Sequence, residues 1–180
     1  MAFATETDLR YPIGKSQPVS SLTPAERAAF IQQIAEAPVK LRAAVTGLDD
    51  QQLDTPYRPG GWTVRQTVHH VPDSHMNAFT RIKLALTEEV PTIKPYFEAR
   101  WAELADAKAP IDPSLDLLDA LHQRWVPLLR SLTPSDWQRE FLHPAQNKRM
   151  SLDQTLALYA WHGRHHVAHI TALRERNSWR

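Results

Sequence analysis

Residues 151–176, SLDQTLALYAWHGRHHVAHITALRER, decide the fold of this chain. The segment opens with Ser151 and, three residues later, Gln154. This is the spacing of a capping box, in which two side chains bond the free N–H groups at the start of a helix. The apolar residues that follow recur at helical spacing: Leu152, Leu156, Tyr159, Gly163, Val167, Ile170 and Leu173. The segment therefore predicts one long helix with an apolar face, which runs to about Arg176.

Three other segments predict long helices by the same two signals, a capping residue and apolar residues at helical spacing. The predicted helices span residues 24–47 after a capping box at Thr23 and Glu26, residues 63–87 with a capping box at Thr63 and Gln66, and a segment capped by Ser114. Pro38 and Pro127 lie inside two of them. Because a proline removes one N–H from the helical hydrogen-bond ladder, Pro38 is expected to kink or split its helix, and Pro127 to distort its helix locally.

The connections between the predicted helices differ in character. Residues 49–61 are dense in turn formers and predict a loop, and Thr133-Pro134 predicts a short helical turn. Residues 89–113 contain four prolines, which leave room only for a short helix over residues 97–107. Four long helices, one long crossover connection and no period-2 alternation predict an all-α fold, a four-helix bundle.

Composition restricts the class of protein. A chain of 180 residues with 42% hydrophobic content predicts a single domain over residues 1–180. The net charge of +1, without long runs of like charge, gives no reason to expect nucleic acid as a partner. The first 15 residues lack the apolar stretch of a signal peptide, and no apolar run is long enough to span a membrane, so we expect a cytoplasmic protein. The chain has no cysteine, which excludes disulfides, thiolate ligands and a protein thiol nucleophile.

Seven of the nine histidines fall in two short segments, HHVPDSH at residues 69–75 and WHGRHHVAH at residues 161–169. Histidine is the commonest metal ligand, so this crowding indicates a divalent metal site. Residues four apart share one face of a helix, so His162 and His166 can reach the same ion, as can His165 and His169. The sequence favours the first pair, because its neighbours point inward, whereas His165 is expected nearer the polar side.

The third ligand must come from the other predicted helix. His69, His70 and His75 compete for this role, and His70 is favoured because it directly precedes Val71 on the core side. Three histidines with open coordination positions are typical of catalytic zinc. The pair does not form an HEXXH motif, since Gly163 and its neighbour stand where the glutamate is needed, so a metallopeptidase is disfavoured.

Each histidine taken alone is more often a packed side chain than a ligand, and only the pairing across two helices favours a metal. His122 and His143 have no other histidine near them in the sequence and are interpreted as structural or peripheral. The roles of the remaining clustered histidines stay unassigned: His69, His75, His165 and His169.

Several longer strings carry a family resemblance. LDTPYRPGGWTVRQTVHHVPDSHMNAF (residues 53–79), LHQRW (residues 121–125) and LYAWHGRHHVAHI (residues 158–170) resemble the YfiT-like branch of the DinB superfamily. The resemblance implies a DinB-like four-helix bundle, commonly a homodimer, with a divalent metal held by three histidines. The family pattern falls on His70, His162 and His166. Two positions depart from it, Pro72 where a small residue is usual and Phe97 where an acidic residue is frequent.

The resemblance also implies an activity. Family members are described as metal-dependent hydrolases, and the YfiT-like branch resembles bacillithiol S-transferases, which join a low-molecular-weight thiol to an electrophile. Imidazole ligands suit several divalent metals, of which zinc is expected first and nickel second. The expected partners are therefore a small-molecule thiol and an electrophilic substrate.

Three hypotheses follow for the function. The leading one is thiol transfer at the metal, because coordination deprotonates a thiol and the chain has no thiol of its own. The alternative is hydrolysis by metal-bound hydroxide. The third is a bundle that binds metal or a small ligand without catalysis. Four residues near the predicted ligands are candidates for orienting a ligand or nucleophile: Asp73, Ser74, Asn77 and Tyr159.

Overall fold

Four long helices form the body of the molecule in the computed structural model, which describes residues 8–179. In chain order the α-helices are α1 Pro24–Val45, α2 Asp50–Leu53, α3 Val64–Thr87, α4 Glu98–Trp101, α5 Asp112–Ser131 and α6 Leu152–Arg176. The long helices α1, α3, α5 and α6 confirm the predicted all-α bundle. Residues 1–7 and residue 180, which belong to the predicted domain, lie outside the described residues, as does the start of the segment used to argue against a signal peptide.

The four long helices are arranged so that α1 and α3 occupy opposite corners of the bundle. Each of these two packs against both α5 and α6. Arg27 near the start of α1 bonds Asp153 near the start of α6, so these two helices run parallel. Arg42 near the end of α1 pairs with Asp116 near the start of α5, so these two run antiparallel. The consecutive long helices α1 and α3 are therefore diagonal neighbours.

The predicted helix starts at Thr23, Thr63 and Ser151 are confirmed. Each of these side chains accepts a hydrogen bond from the backbone N–H three residues later, and the side chain at that later position bonds back to the cap. These reciprocal bonds satisfy N–H groups that have no partner inside the helix. The starts of three of the four long helices are thus determined locally, by the side chains at the cap.

Other predicted details are wrong. Ser114 does not cap α5, because the helix begins two residues earlier and its N-cap, Ile111, makes no side-chain cap bond. Pro38 does not divide α1, which is continuous through it and ends at Val45. The single short helix predicted over residues 97–107 is instead α4 followed by a 3₁₀ turn at Ala105–Lys108. By contrast, the turn predicted to start at Thr133-Pro134 is confirmed, because the Asp136 N–H donates to the Thr133 hydroxyl and the turn continues as 3₁₀ helix at Asp136–Gln138.

A β-hairpin precedes α6, and the sequence analysis did not predict it. Strands β1 Glu140–His143 and β2 Lys148–Ser151 pair antiparallel, and Asn147 in the turn between them adopts the left-handed conformation. Each strand has only four residues, too few for a clear period-2 pattern. The hairpin also anchors the crossover connection, because the Leu142 N–H donates to the Pro91 carbonyl and the Ile93 N–H donates to the Leu142 carbonyl.

Within residues 8–179, no helix is both long enough and apolar enough to cross a bilayer.

Replacing Asp153 with alanine tests the junction between α1 and α6. The Asp153 carboxylate is 1% exposed and accepts two bonds from Arg27, at 2.7 and 2.8 Å, and one from the Leu22 N–H at 3.1 Å. We expect Asp153→Ala to lower the free energy of unfolding by about 3 kcal/mol, because it leaves the partly buried Arg27 guanidinium without its carboxylate partner. Urea denaturation measures this change.

The matched control is Asp116→Ala, which removes the exposed Arg42–Asp116 pair between α1 and α5. An exposed ion pair contributes at most about 1 kcal/mol, so this variant should unfold close to wild type. Equal losses in the two variants would contradict the role assigned to Asp153.

Candidate metal centre

Two antiparallel helices bring together the three histidines that the sequence selected. His70 lies on α3, and His162 and His166 lie one turn apart on α6. One ring nitrogen from each residue lies within 4.8 Å of the others. The Nε2 atoms of His70 and His162 are 3.2 Å apart. The structure therefore places all three predicted ligands around one point.

This arrangement fits a divalent metal. Two nitrogens bound to zinc at ~2.0–2.1 Å in a tetrahedral site are about 3.3 Å apart, close to the separation of the His70 and His162 nitrogens. Within residues 8–179, this trio is the one group of three or more histidine or acidic side chains close enough to share an ion. All three members are imidazoles, which suit zinc and nickel alike. His70, His162 and His166 are called the tripod below.

Burial keeps the tripod uncharged. It lowers the pKa of His70 from 6.5 to about 4, and it lowers the pKa of His162 and His166 well below 6.5. The proximity of the other histidines to His162 and His166 acts in the same direction. A neutral imidazole offers one nitrogen lone pair, which is the form that binds a metal. The unloaded site is thus in the protonation state that ligation requires.

A narrow crevice leads to His70 from the protein surface. Its walls include Asp73 from α3, Trp101 from α4, and the carboxylates of Glu98 and Asp106. Partial burial, and to a smaller extent the negative charge of Asp106, raises the pKa of Asp73 to about 6. A carboxyl group with a pKa near neutrality can exchange protons at physiological pH. Asp73 is therefore a candidate acid–base group in this crevice.

Of the other three residues predicted to orient a ligand, two lie near the tripod and one bonds its own helix. The Ser74 hydroxyl donates to the Tyr159 hydroxyl at 3.5 Å, and the Tyr159 ring centroid lies 5.5 Å from that of His162. Burial raises the pKa of Tyr159, so its hydroxyl stays protonated. Asn77 instead donates to the Asp73 carbonyl of its own helix at 2.8 Å. Ser74 and Tyr159 thus lie near the tripod, and the observed bond of Asn77 belongs to the helix backbone.

Two of the unassigned histidines are held by residues outside the tripod. His69 contacts the Ser114 hydroxyl at 2.7 Å and the Ala109 carbonyl at 3.1 Å, and so connects α3 to the crossover. The Ser114 hydroxyl therefore bonds His69 instead of capping α5. His169 bonds the Arg10 carbonyl at 3.1 Å. The two side chains therefore join helices to the segments that cover them.

The expectation that His165 lies toward the polar side is wrong. Its side chain is buried, 7% exposed, and stacks on Trp161 with ring centroids 4.2 Å apart. Tyr11 lies near the same ring. The segment that precedes α1, including Tyr11, packs on this face of α6. Helical periodicity cannot predict a contact with such a distant segment.

His75 and His122 are the residues that the sequence analysis missed. It left His75 unassigned and interpreted His122 as structural or peripheral. Both are buried, and a nitrogen of His75 lies 3.1 Å from the Nδ1 atom of His162. Gly163, beside His162, allows α6 to approach α1 closely, because a Cβ atom there would stand only 3.1 Å from the Ala37 Cβ.

Comparison with known proteins identifies the family. Residues 33–170 match the profile of the DinB superfamily. The chain belongs to the DinB superfamily. This DinB protein is 57% identical over 172 residues to a protein of Bacillus mycoides (strain KBAB4) named "Putative metal-dependent hydrolase", with 96% of this chain and 99% of the relative covered. A relative of the same name from Bacillus cereus (strain B4264) is 56% identical with the same coverage.

A solved structure confirms the fold of this DinB protein. YfiT from Bacillus subtilis, described as "a probable metal-dependent hydrolase with an unusual four-helix bundle topology", superposes with a TM-score of 0.94 and 51% sequence identity. The match covers 96% of this chain and 99% of YfiT. The family named from the sequence strings and the predicted bundle are both confirmed.

Removing one ligand of the tripod tests its metal binding. We expect wild type, dialysed against zinc and then against buffer, to retain about one zinc per chain, as a single three-histidine site requires. His70→Ala and His166→Ala should lose most of this metal, because each leaves only two imidazoles. Elemental analysis measures the content, with His69→Ala as a control on the same helix. Undiminished zinc in the two tripod variants would exclude the tripod as the binding site.

The stability of the metal-free DinB protein should depend on pH. Burial lowers the pKa values of His70, His75, His162 and His166 below 6.5, so below that pH the unfolded chain binds protons that the folded chain does not. The free energy of unfolding is then greatest above pH 6.5. It should fall on acidification by up to about 1.4 kcal/mol per pH unit for each histidine. Urea midpoints that are equal at about pH 7.5 and about pH 5.5 would contradict this burial of neutral imidazoles.

Proposed function

We propose that this protein is a metal-dependent hydrolase whose divalent metal is held by His70, His162 and His166. The observation that carries the proposal is the convergence of three neutral imidazoles, buried or half-buried, within 4.8 Å. The crevice beside His70 has a volume of about 10 Å³, which is enough for a water molecule, the nucleophile of hydrolysis. The names of the Bacillus relatives, which call them metal-dependent hydrolases, support the same class of reaction.

The ligand set favours activation of a nucleophile. Three neutral imidazoles do not cancel the charge of the ion, and a divalent metal bound this way lowers the pKa of a coordinated water or thiol toward neutrality and polarises carbonyl groups. The tripod has three protein ligands, which leaves coordination positions for small molecules. Such a site is built for reaction rather than for structural support alone.

Asp73 supplies the proton acceptor that hydrolysis needs. It shares the crevice with His70, and its pKa of about 6 leaves it mostly ionised at pH 7. Its carboxylate accepts the proton of the attacking water and returns it to the leaving group. Tyr159, held protonated by burial and bonded to Ser74, is a hydrogen-bond donor near His162.

Thiol transfer is the second candidate, and the absence of cysteine favours it. A site of three imidazoles in a chain without a thiol has no internal sulfur ligand to compete for the metal. An incoming small-molecule thiol such as bacillithiol would then occupy a free coordination position as a thiolate, because coordination to a divalent metal deprotonates a thiol. The acceptor in this reaction is an electrophilic small molecule.

One assay separates the candidates. Zinc-loaded protein is incubated with a panel of esters, amides and alkylating electrophiles, with and without bacillithiol. Turnover without thiol supports hydrolysis, whereas turnover only with thiol overturns hydrolysis in favour of transfer. We expect Asp73→Asn to lower kcat for hydrolysis by about 10²- to 10⁴-fold without loss of zinc, the usual contribution of a proton acceptor.

The control for Asp73→Asn is Glu98→Gln, which removes a carboxylate from the same crevice but not the proton acceptor. It should change kcat much less. A zinc-loaded protein that is inert in both arms of the assay would overturn the proposal and favour a bundle that binds metal without catalysis.

A further inference from the structure

Two histidines outside the tripod form a hydrogen-bonded chain that ends at one of its ligands. The Nδ1 atom of His122 lies 2.7 Å from the carbonyl oxygen of Ile34 on α1. The Nε2 atom of His122 lies 2.8 Å from Nδ1 of His75, and the Nε2 atom of His75 lies 3.1 Å from Nδ1 of His162. The chain therefore crosses the bundle from α1 through α5 and α3 to α6.

The carbonyl at the start gives this chain a direction. A carbonyl oxygen only accepts hydrogen bonds, so Nδ1 of His122 must carry its proton. A neutral imidazole has one N–H and one lone pair, so Nε2 of His122 accepts from the Nδ1–H of His75. By the same argument, Nε2 of His75 accepts from the Nδ1–H of His162. The one lone pair left on His162 is then at Nε2, the atom that lies 3.2 Å from Nε2 of His70.

Burial keeps the intermediate rings neutral, as this argument requires. His75 is 0% exposed and His122 is 3% exposed. A second proton on either ring would place a charge in the core. It would also convert the acceptor nitrogen of that ring into a donor that faces the donor of its neighbour. No carboxylate within residues 8–179 hydrogen-bonds either ring to offset that charge.

Pro38 explains why the Ile34 carbonyl is available. Inside a helix, this carbonyl would accept from the N–H four residues later, but the residue at that position is Pro38, which has no N–H. The helix α1 continues through the proline, and the Nδ1–H of His122 takes the place of the missing donor. The proline that the sequence analysis expected to kink α1 thus provides the fixed end of the chain.

We propose that His75 and His122 are positioning residues that hold His162 as its Nδ1–H tautomer and so leave its Nε2 lone pair directed at the metal site. The value of this arrangement for binding rests on the tripod of the proposed function. The tautomers are determined by hydrogen bonds within the protein and do not require metal. The tautomer assignment and the metal binding can therefore be tested separately. Partners of ligand histidines typically change metal affinity by about 10- to 100-fold when they are removed.

The first test uses the metal-free wild type. Long-range ¹H–¹⁵N correlation spectra of the imidazole rings show which nitrogen of each histidine carries the proton. We expect Nδ1–H for His122, His75 and His162. His169 is the internal control with the opposite tautomer, because its Nε2 atom bonds the Arg10 carbonyl. An Nε2–H tautomer at His162 would overturn the proposal.

The second test breaks the chain. His75→Phe keeps a ring of similar size but removes the acceptor for His162, so it should weaken zinc binding by about 10- to 100-fold and populate the Nε2–H tautomer of His162. His75→Gln, whose amide oxygen can accept in place of the ring nitrogen, should recover part of the affinity. His169→Phe is the matched control, a buried histidine on α6 outside the chain.

The outcomes distinguish this proposal from the proposed function. Wild-type zinc affinity in a folded His75→Phe would overturn the positioning role and leave the tripod intact. The expected tautomers in a wild type that binds no zinc would support the tautomer assignment and overturn the metal-dependent function. If His75→Phe does not fold, the wild-type spectra still decide the tautomer of His162.

Discussion

The antiparallel packing of α3 against α6 is the constraint on which the site depends. It places His70 opposite His162 and His166, in a layer of the bundle where water is largely excluded. Gly163 allows α6 to pack closely on α1 next to this layer, because a Cβ atom there would press on Ala37. The same packing therefore determines the positions of the ligands, their burial and their lack of charge.

Burying so many histidines has a cost that the fold offsets with specific hydrogen bonds. A buried polar nitrogen without a partner destabilises a protein by about 1–3 kcal/mol, and the fold supplies partners for three of the rings outside the tripod. His122 has the Ile34 carbonyl, His75 has two neighbouring rings, and His69 has Ser114 and a carbonyl. The tripod differs, because one ring nitrogen from each of its three members lies within 4.8 Å of the others, where a single cation would take all three lone pairs.

Much of this fold follows from local sequence signals. The capping boxes at Thr23, Thr63 and Ser151 predicted helix starts because a cap bond joins residues three apart, and the face of α6 followed from periodicity. The hairpin was missed because its strands are short, and Ser114 was misplaced because its hydroxyl bonds His69 across the bundle instead of its own helix. Local patterns do not contain such distant partners.

The three candidate ligands could be predicted from the sequence, but the hydrogen bonds that support them could not. His162 and His166 follow from their spacing and His70 from its neighbours, so the three candidate ligands could be selected without a structure. The chain through His75 and His122 could not, because it depends on a carbonyl of α1 that Pro38 leaves free. A proline in mid-helix predicts an unpaired carbonyl four residues earlier, but only the packed bundle shows which donor reaches it.

X-ray absorption spectroscopy of the zinc-loaded protein tests the central claim most directly, because it counts the ligands at the metal. The account predicts a first shell of nitrogen and oxygen only at ~2.0–2.1 Å, with outer-shell scattering from three imidazoles and the remaining positions held by light atoms. A spectrum with one imidazole or none would contradict the tripod and, with it, the proposed function.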